Sequence, residues 1–302
     1  MSQQEKVRSD AIRRRGERVP ASERSHKLSS AFAMRRALSA RASAGSARLP
    51  RTVTDAHSLQ SASAGAHATL GTSEQKHLQK SLRLHDGDPV EVTDCDGCIA
   101  HGILRQAGSG GRKATASVEL AENPRIAPSP PMRIVVAAAI GTLGNRSDFL
   151  IEKLTELGAH ALVPISTERN PRSHAHSHSR SDRWHRVAQA ASKQCLRSRA
   201  LKVSETHELN ELLTGSRSEL FTESTAAFFG DADGYPMRHC ISDSLLGHQV
   251  VLFTGPEGGF TYEEQRVLRE YHCAGVALSE QRLRVETAAV AIVSGSLALC
   301  GI

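Results

Sequence analysis

Hydrophobic runs alternate with amphipathic stretches through the second half of the chain. The runs are typical of buried strands and read MRIVVAAAI, ALVPIST, AAFFG, VVLFTG and GVALS. Between and after them, apolar residues recur at helical spacing in SDFLIEKLTELGA, residues 181–196, TYEEQRVLREY and ETAAVAIVSGSLAL. Because strands that alternate with helices form a largely parallel sheet covered by helices, this half predicts an α/β domain.

Local signals place the ends of two of these helices. Ser147 is a candidate N-cap and Gly158 a candidate stop for the first helix. Thr261, followed three residues later by Glu264, forms a capping box, so another helix is expected to begin directly after GPEGG.

The preceding segment has a different pattern. Short β-type segments, DPVEV, CIAHGIL and ATASVEL, are separated by Asp-Gly and Gly-rich turn signals. Several short strands closed by such turns predict a small β-barrel. The proline-rich stretch ENPRIAPSPP then indicates a boundary, so we expect domains at 67–130 and 131–302. Cys95 and Cys98 have the spacing of metal ligands, but the Asp-Gly between them favours a hairpin turn.

The net charge of +6 comes from the N-terminus. Residues 1–54 hold 13 Lys/Arg and 4 Asp/Glu, whereas the remainder holds 25 and 28. An Arg-rich, Ser-rich segment that lacks acidic residues from Arg24 to Thr54 is typical of an organelle transit peptide. We therefore predict a disordered leader over residues 1–66 and a location in the chloroplast or mitochondrion. The alternative is a basic tail that binds RNA, in which case the protein is cytoplasmic.

Composition narrows the class of protein further. No apolar run approaches the roughly 20 residues that span a bilayer, so no membrane partner is expected. Six scattered cysteines in a chain of this length favour a reducing compartment over a disulfide scaffold. His174, His176 and His178 alternate as strand-face metal ligands would, but their polar surroundings favour a loop, and no metal is expected.

A loop with three glycines, Gly255, Gly258 and Gly259, follows the apolar run VVLF and precedes a helix. Such loops usually bind phosphates, yet this one matches neither phosphate fingerprint and carries Glu257 in its middle. A carboxylate there suits a neutral or cationic ligand, and S-adenosylmethionine, with its sulfonium, fits. Alternatively, Glu257 points outward and caps a neighbouring loop.

A second ligand-type loop lies in LSEQRLRVETAAVA, where a strand ends and a helix begins at Glu286. Arg282 and Arg284 stand at this junction. Because ligands of parallel sheets bind beyond the carboxyl ends of the strands, both loops are expected at one edge.

A basic stretch from Arg169 to Lys202 contains nine Lys/Arg and a single acidic residue, Asp182. Trp184 and four histidines are interleaved with them. This pattern favours a surface for RNA phosphates; the alternative is a solvated helix face.

Four motifs in one order carry a family resemblance. EKLTELGAHALVPISTERN, AASKQCLRSRALKV, FTGPEGGF and LRVETAAVA together resemble the RsmE-type ribosomal RNA uridine-N3 methyltransferases of the SPOUT superfamily. HLQKSLRLHDGDPVEV looks like that family's PUA-like barrel, so the resemblance runs from about residue 70 to the C-terminus. It implies a trefoil-knot methyltransferase domain after a PUA-like barrel, S-adenosylmethionine as cofactor, small-subunit ribosomal RNA as partner, and a homodimer.

The resemblance also assigns residues. The implied cofactor-binding residues are Thr254, Gly255, Glu257, Gly258, Gly259, Leu278, Leu283, Arg284 and Thr287. Arg284 or Arg197 is the expected electrostatic group at the reacting base, and water or Glu286 is expected to take the proton. The basic residues expected to bind RNA are Arg169, Arg172, Arg183, Arg186, Lys193, Arg197 and Arg199.

Departures from the family pattern leave two rival functions open. Lys193 stands where the family has Glu, Ser279 where it has Gly, and Gln281 where it often has Arg. The rivals are an RNA-binding ribosome-assembly factor without catalysis, and a SPOUT methyltransferase that acts on tRNA or another base.

Overall fold

The computed structural model describes residues 49–54, 59–107, 115–141, 143–171, 178–214, 220–222 and 224–302. Within these residues the chain divides into two compact units. The first holds the residues up to Asp94 together with Cys98–Ile126, and the second holds Cys95–Gly97 and Ala127–Ile302. Among the described helices, none combines the length and apolar character needed to cross a bilayer.

The first unit is built on one sheet. Its described elements are β1 (Arg51–Val53), β2 (His67–Thr69), α1 (Thr72–Lys76), a π-helical turn (His77–Ser81), β3 (Pro89–Thr93), β4 (Cys98–Ala107), β5 (Thr115–Leu120) and β6 (Arg125–Ile126). The strand order is β1-β3-β4-β5-β2, with β6 beside β4. A bridge between Thr54 and Leu70 joins the two ends of this order. This bridge links the last strand of the order back to the first, as expected for a small barrel. The relation of this unit to PUA-like domains stays a prediction.

The N-terminal part of this unit corrects the expected extent of the leader. Arg51 to Val53 pair in parallel with β3, and Leu59 is fully buried. The prediction of disorder up to residue 66 is therefore wrong for residues 49–54 and 59–66. Amino-acid composition does not reveal such a strand, because a short strand gains its hydrogen bonds from a partner far along the chain. Residues 1–48 lie outside the described residues.

The second unit is an α/β domain, as predicted. Its described elements are β7 (Arg133–Ala138), α2 (Arg146–Glu156), β8 (Ala161–Ser166), α3 (His178–Cys195), β9 (Lys202–Val203), β10 (His207–Glu208), α4 (Leu209–Thr214), β11 (Thr225–Pro236), α5 (Met237–Cys240), a 3₁₀ turn (Asp243–Leu245), β12 (Gln249–Thr254), α6 (Tyr262–Glu270), β13 (Ala274–Ala277) and α7 (Val285–Leu299). The strand order is β10-β8-β7-β12-β11-β13, with β9 beside β8. All the pairings between these described strands are parallel.

Helices cover both faces of the parallel sheet. Alternate residues of β7 enter different cores: Ile134 and Val136 pack with α2, α3 and α7, whereas Val135 and Ala137 pack with α4 and α6. A strand buried on both faces needs apolar residues at every position, which explains the uninterrupted run that predicted it.

The local signals at the helix ends were correct in two of three cases. The capping box of Thr261 and Glu264 is present at the start of α6, and Gly158, with φ of +89°, follows the end of α2. Ser147, however, lies inside α2, whose N-cap is Asn145. Its hydroxyl donates to the Gly144 carbonyl oxygen at 2.7 Å and accepts from the indole of the buried Trp184 at 3.1 Å.

The carboxyl ends of the parallel strands lie at one edge of the sheet, and two loops there matter below. We call residues 255–259, after β12, the glycine loop, and residues 278–284, after β13, the final loop. Two further segments reach the same edge, the one between β7 and α2 and the turn Thr167–Asn170 after β8. The expected trefoil knot stays a prediction.

Candidate cofactor site and basic surface

The glycine loop and the final loop line a single cavity of about 480 Å³. It falls within the range of small-molecule sites, roughly 300–1,000 Å³. The residues lining it are Gly230, Asp231, Ala232, Thr254, Gly255, Pro256, Glu257, Gly258, Gly259, Leu278, Ser279, Glu280, Gln281, Arg282, Leu283, Val285 and Ala288. The two loops therefore meet at one edge of the sheet, as expected from the sequence.

Two glycines of the glycine loop are required by its geometry. A methyl group on Gly255 would lie 3.1 Å from the backbone nitrogen and a ring carbon of Phe260. Gly259 has φ of +71°, a conformation that side chains disfavour. The loop thus turns tightly back on Phe260 and leaves its backbone open toward the cavity.

The capping box fixes the exit of the glycine loop. Thr261 donates its backbone N–H to the Glu264 carboxylate at 2.7 Å, and the Thr261 hydroxyl accepts from the Glu264 N–H at 3.2 Å. The other carboxylate oxygen of Glu264 accepts from the Glu168 N–H at 2.8 Å. One buried side chain therefore attaches the glycine loop to the turn after β8.

Two arginines hold the glycine loop through its carbonyl groups. Arg282 of the final loop donates from Nε to the Glu257 carbonyl oxygen at 2.7 Å, and from Nη2 to the same oxygen. Arg169 of the turn after β8 donates to the carbonyl oxygen of Gly258. Both contacts fix the loop before any ligand binds, which lowers the entropy cost of binding.

The Glu257 side chain pairs with a residue that the sequence reasoning passed over. Its Oε1 lies 3.5 Å from Nη2 of Arg146, the first residue of α2. Nη1 of Arg146 donates to both oxygens of Glu286, at 2.9 and 3.2 Å. These carboxylates, the Glu286 hydrogen bond foremost, raise the pKa of the Arg146 guanidinium.

Acidic side chains outnumber basic ones in the cavity lining. The lining includes the carboxylates of Asp231, Glu257 and Glu280, and one guanidinium, that of Arg282. Asp231 is buried and accepts from Nη2 of Arg269 at 2.7 Å. Glu257 is likewise paired, with Arg146, so the lining has no excess of positive charge that would attract a phosphate, and Glu280 adds a carboxylate beside Arg282.

A buried hydroxyl in the lining has no hydrogen-bond partner. Thr254 ends β12, is 1% exposed, and its Oγ1 bonds to no atom of the described residues. Since buried polar groups are nearly always satisfied, this hydroxyl points to a ligand group. The cavity volume, the open glycine backbone, the acidic lining and this hydroxyl all fit S-adenosylmethionine.

Most of the predicted cofactor residues lie together. Thr254, Gly255, Glu257, Gly258, Gly259, Leu278 and Leu283 line the cavity. Arg284 and Thr287 are exposed and outside the lining; Arg284 is the N-cap of α7, between the lining residues Leu283 and Val285. Glu286, the candidate proton acceptor, is buried with both oxygens bonded to Arg146.

The structure gives Arg197 a structural role, and its expected catalytic role stays a prediction. Its guanidinium donates to the carbonyl oxygens of Thr155 at 2.7 Å, Gly158 at 3.2 Å and Ala159 at 3.1 Å. These groups end α2 and precede β8, so they lie at the amino edge of the sheet. A six-residue strand separates that edge from the glycine loop by about 20 Å. Arg197 is therefore the C-terminal cap of α2, and burial lowers its pKa.

The basic stretch does not form one continuous surface. Arg169 and Arg183 lie at the carboxyl edge, and Arg183 pairs with Asp148 at 2.5 Å. Lys193 and Arg199 lie near the far end of α3, whose 18 residues extend about 27 Å. Arg199 bonds to the carbonyl oxygens of Ala127 and Pro128, each at 3.0 Å.

The remaining basic candidates are Arg186 and Arg172. Arg186 is exposed and donates to the Asp182 carbonyl oxygen at 3.2 Å. Arg172, His174 and His176 lie outside the described residues. The described RNA candidates thus fall into two groups: Arg169, Arg183 and Arg186 lie before or in the first half of α3, toward the edge of the sheet that holds the cavity, and Lys193, Arg197 and Arg199 lie at or beyond its end.

Sequence reasoning missed Arg146 and Asp231 as parts of the site. Asp231 follows the apolar run AAFFG, and Arg146 follows MRIVVAAAI after a short connection. The rule that ligands bind beyond the carboxyl ends of parallel strands marks both positions. Neither residue falls within the four family motifs.

Comparison with known proteins gives the family. A family model described as an RNA methyltransferase domain matches residues 128–296. The chain is 26% identical over 222 residues to the ribosomal RNA small subunit methyltransferase E of Bacillus subtilis, covering 71% of this chain and 83% of that one. It is 29% identical over 224 residues to the protein of that name from Synechocystis, covering 74% and 70%.

Solved structures share the fold. A Neisseria gonorrhoeae ribosomal RNA small subunit methyltransferase E, described as bound to S-adenosyl methionine, aligns with a TM-score of 0.68 and 24% identity, covering 83% of this chain and 98% of that one. A Legionella pneumophila methyltransferase, described in complex with the same cofactor, aligns at 0.69 and 21% identity, with the same coverage. The resemblance to RsmE-type SPOUT proteins drawn from the motifs is thus confirmed, and the chain belongs to the RNA methyltransferase domain family.

Proposed function

We propose that this protein transfers a methyl group from S-adenosylmethionine to N3 of a uridine in small-subunit ribosomal RNA. The observation that carries the proposal is the cavity that the glycine loop and the final loop line together, with the buried, unsatisfied hydroxyl of Thr254 beside it. The relatives named for small-subunit ribosomal RNA methylation supply the substrate class.

S-adenosylmethionine is the methyl donor that this site fits, and when bound it supplies an electrophilic methyl group. The chain holds it with backbone groups of the glycine loop and the Thr254 hydroxyl. The carboxylates of Asp231, Glu257 and Glu280 complement its cationic sulfonium and ammonium groups. The two cofactor-bound relatives support this assignment.

The acceptor nitrogen sets the remaining chemical demand. N3 of uridine is an imide nitrogen that is protonated at neutral pH, and negative charge develops on O2 and O4 as its proton leaves. An arginine near those oxygens stabilises the charge, because it stays protonated and donates in a fixed fork. We assign this role to Arg284, since it is exposed between two lining residues, and leave the proton to water.

The RNA partner is proposed to lie along the basic group nearest the cavity. Arg183 and Arg186 are exposed on α3, and Arg169 borders the glycine loop. The proposal has four further parts: a SPOUT knot, a homodimer that shares the RNA, a PUA-like first unit and an organellar location. They rest on the family resemblance and on the acid-poor N-terminal sequence.

The test is methylation of small-subunit ribosomal RNA that lacks the modification. Purified protein, S-adenosylmethionine and this RNA are incubated, and the nucleosides are resolved by mass spectrometry. We expect N3-methyluridine with the wild-type protein. Arg284→Ala should lower the rate by about 10²- to 10³-fold while RNA binding is retained. Retained turnover would remove Arg284 from the mechanism.

The rival functions give different products in the same assay. A methylated base in tRNA, or a base other than uridine in ribosomal RNA, would replace the proposed substrate. RNA binding without methyl transfer would identify an assembly factor that keeps the fold but not the activity.

A further inference from the structure

Arg146 stands outside both cofactor loops yet contacts residues of each wall of the site. It begins α2, at the carboxyl edge of the sheet, beside β7. Its Nη1 holds both oxygens of Glu286 at 2.9 and 3.2 Å, and its Nη2 lies 3.5 Å from Glu257. One guanidinium thus joins the first turn of α7 to the glycine loop.

The two contacts are unequal. The Glu286 side chain is 8% exposed and is held at hydrogen-bond distance, whereas the Glu257 side chain is 44% exposed and at the limit of contact. The Arg146 side chain is itself 39% exposed, so the two contacts differ in the burial of the carboxylate. Removal of the partner of buried Glu286 leaves a charge without compensation and is costly, whereas the exposed contact to Glu257 contributes little and opens readily. The Arg146–Glu286 pair is therefore a fixed anchor, and the Arg146–Glu257 contact is the part that can open.

The contact between Arg146 and Glu257 lies where it can affect ligand binding. Glu257 lines the cavity in the middle of the glycine loop, and Val285 and Ala288, on either side of Glu286, line it from α7. The distance between the glycine loop and the start of α7 is a dimension of the cavity itself. A contact that sets this distance controls how firmly a ligand is enclosed.

We propose that Arg146 is a positioning residue that latches the glycine loop to the start of α7 and so slows the release of S-adenosylmethionine. Glu286 holds the guanidinium in place, and the contact from Arg146 to Glu257 must open before the cofactor leaves the cavity. This inference rests on the proposed cofactor and concerns its binding, not the methyl-transfer step.

Removal of Arg146 alone leaves Glu286 buried without its partner and could unfold the second unit. The test variant is therefore the paired change R146M/E286Q, which removes both charges and keeps side-chain volume. Arg266→Ala is the matched control, because Arg266 pairs with Glu263 and Glu270 on the surface of α6, away from both loops. Thermal melting of each variant verifies folding.

The first measurement is the dissociation rate of S-adenosylmethionine by stopped-flow fluorescence of a labelled analogue, with affinity by calorimetry. For R146M/E286Q we expect a dissociation rate about tenfold higher, with the association rate within about twofold of wild type, since interface changes act mainly on dissociation. Arg266→Ala should match wild type in both rates. An unchanged dissociation rate in R146M/E286Q would overturn the proposal.

The second measurement separates the latch from the charge of Glu257 itself. Glu257→Gln is compared in the wild-type and R146M/E286Q backgrounds, because a double-mutant cycle isolates the contact between the altered residues. We expect the affinity loss caused by Glu257→Gln to be about threefold smaller in the R146M/E286Q background. Equal losses in both backgrounds would show that Glu257 acts on the cofactor without Arg146. A wild-type protein that binds no S-adenosylmethionine would refute the proposed function instead.

Discussion

Replacement of Arg197 by alanine separates a structural role from a catalytic one. Four hydrogen bonds run from its guanidinium to three carbonyl oxygens, those of Thr155, Gly158 and Ala159, at distances of 2.7 to 3.2 Å. Thr155 and Ala159 are fully buried, so water cannot readily take the place of the guanidinium. Without Arg197 the C-terminus of α2 therefore loses its cap.

The magnitude follows from these bonds. A hydrogen bond to a charged group contributes about 1.5–3 kcal/mol net. Because the four bonds share one side chain and one helix end, their contributions do not add. We expect Arg197→Ala to lower the free energy of unfolding by about 3 kcal/mol, at the upper end of what single substitutions usually do.

The assay is urea denaturation followed by circular dichroism, with calorimetric binding of S-adenosylmethionine measured below the transition. Arg186→Ala is the control, since it removes an arginine from α3 that makes a single exposed bond to Asp182. It should change stability by no more than about 0.5 kcal/mol. If Arg197→Ala keeps wild-type stability but loses ribosomal RNA methylation, the structural assignment fails and the catalytic one returns.

Three further predictions concern the cavity and the pH dependence of stability. Thr254→Val removes an unsatisfied hydroxyl, so the free energy of unfolding without ligand should rise or stay within about 1 kcal/mol of wild type. Cofactor affinity, measured by calorimetry, should fall about fivefold. A fall in both the free energy of unfolding and the cofactor affinity would contradict the cofactor role of Thr254. Gly255→Ala places a methyl group against Phe260 and should weaken cofactor binding about tenfold. The control is Gly71→Ala, whose methyl group meets nothing within 4 Å and should leave cofactor affinity unchanged. Equal cofactor affinities of Gly255→Ala and the wild type would show that the loop tolerates the clash. Burial, with positive charge from Arg133 next, lowers the pKa of His160 to about 4. Because the unfolded chain takes up this proton near pH 6.5 and the folded chain near pH 4, the free energy of unfolding should fall as the pH drops from 6.5 to 4. His160→Gln should flatten that part of the urea-stability profile, and an unchanged profile would contradict the shift.

Much of the fold could be predicted because its signals are local. A β7 strand buried on both faces needs an uninterrupted apolar run, and the Thr261–Glu264 box sits three residues apart in the chain. The two cofactor loops follow from a positional rule about the carboxyl ends of strands, which requires no knowledge of side-chain contacts.

The errors arose where the deciding partner is distant in sequence. Arg197 caps carbonyl groups 38 to 42 residues earlier, so the same arginine fits either a catalytic or a capping role from its sequence alone. The β1 strand pairs with β3, 40 residues later, and its composition resembles the leader before it. Ser147 has the residue type of an N-cap, but its hydroxyl instead accepts a hydrogen bond from the indole N–H of Trp184.

Calorimetric titration of the wild-type protein and Thr254→Val with S-adenosylmethionine tests the central claim most directly. One cofactor molecule should bind each wild-type chain with a dissociation constant in the micromolar range, or about −8 kcal/mol, and Thr254→Val should bind it more weakly. Absence of binding heat in the wild type, or equal affinity in the two proteins, would contradict a methyl-donor site between the glycine loop and the final loop.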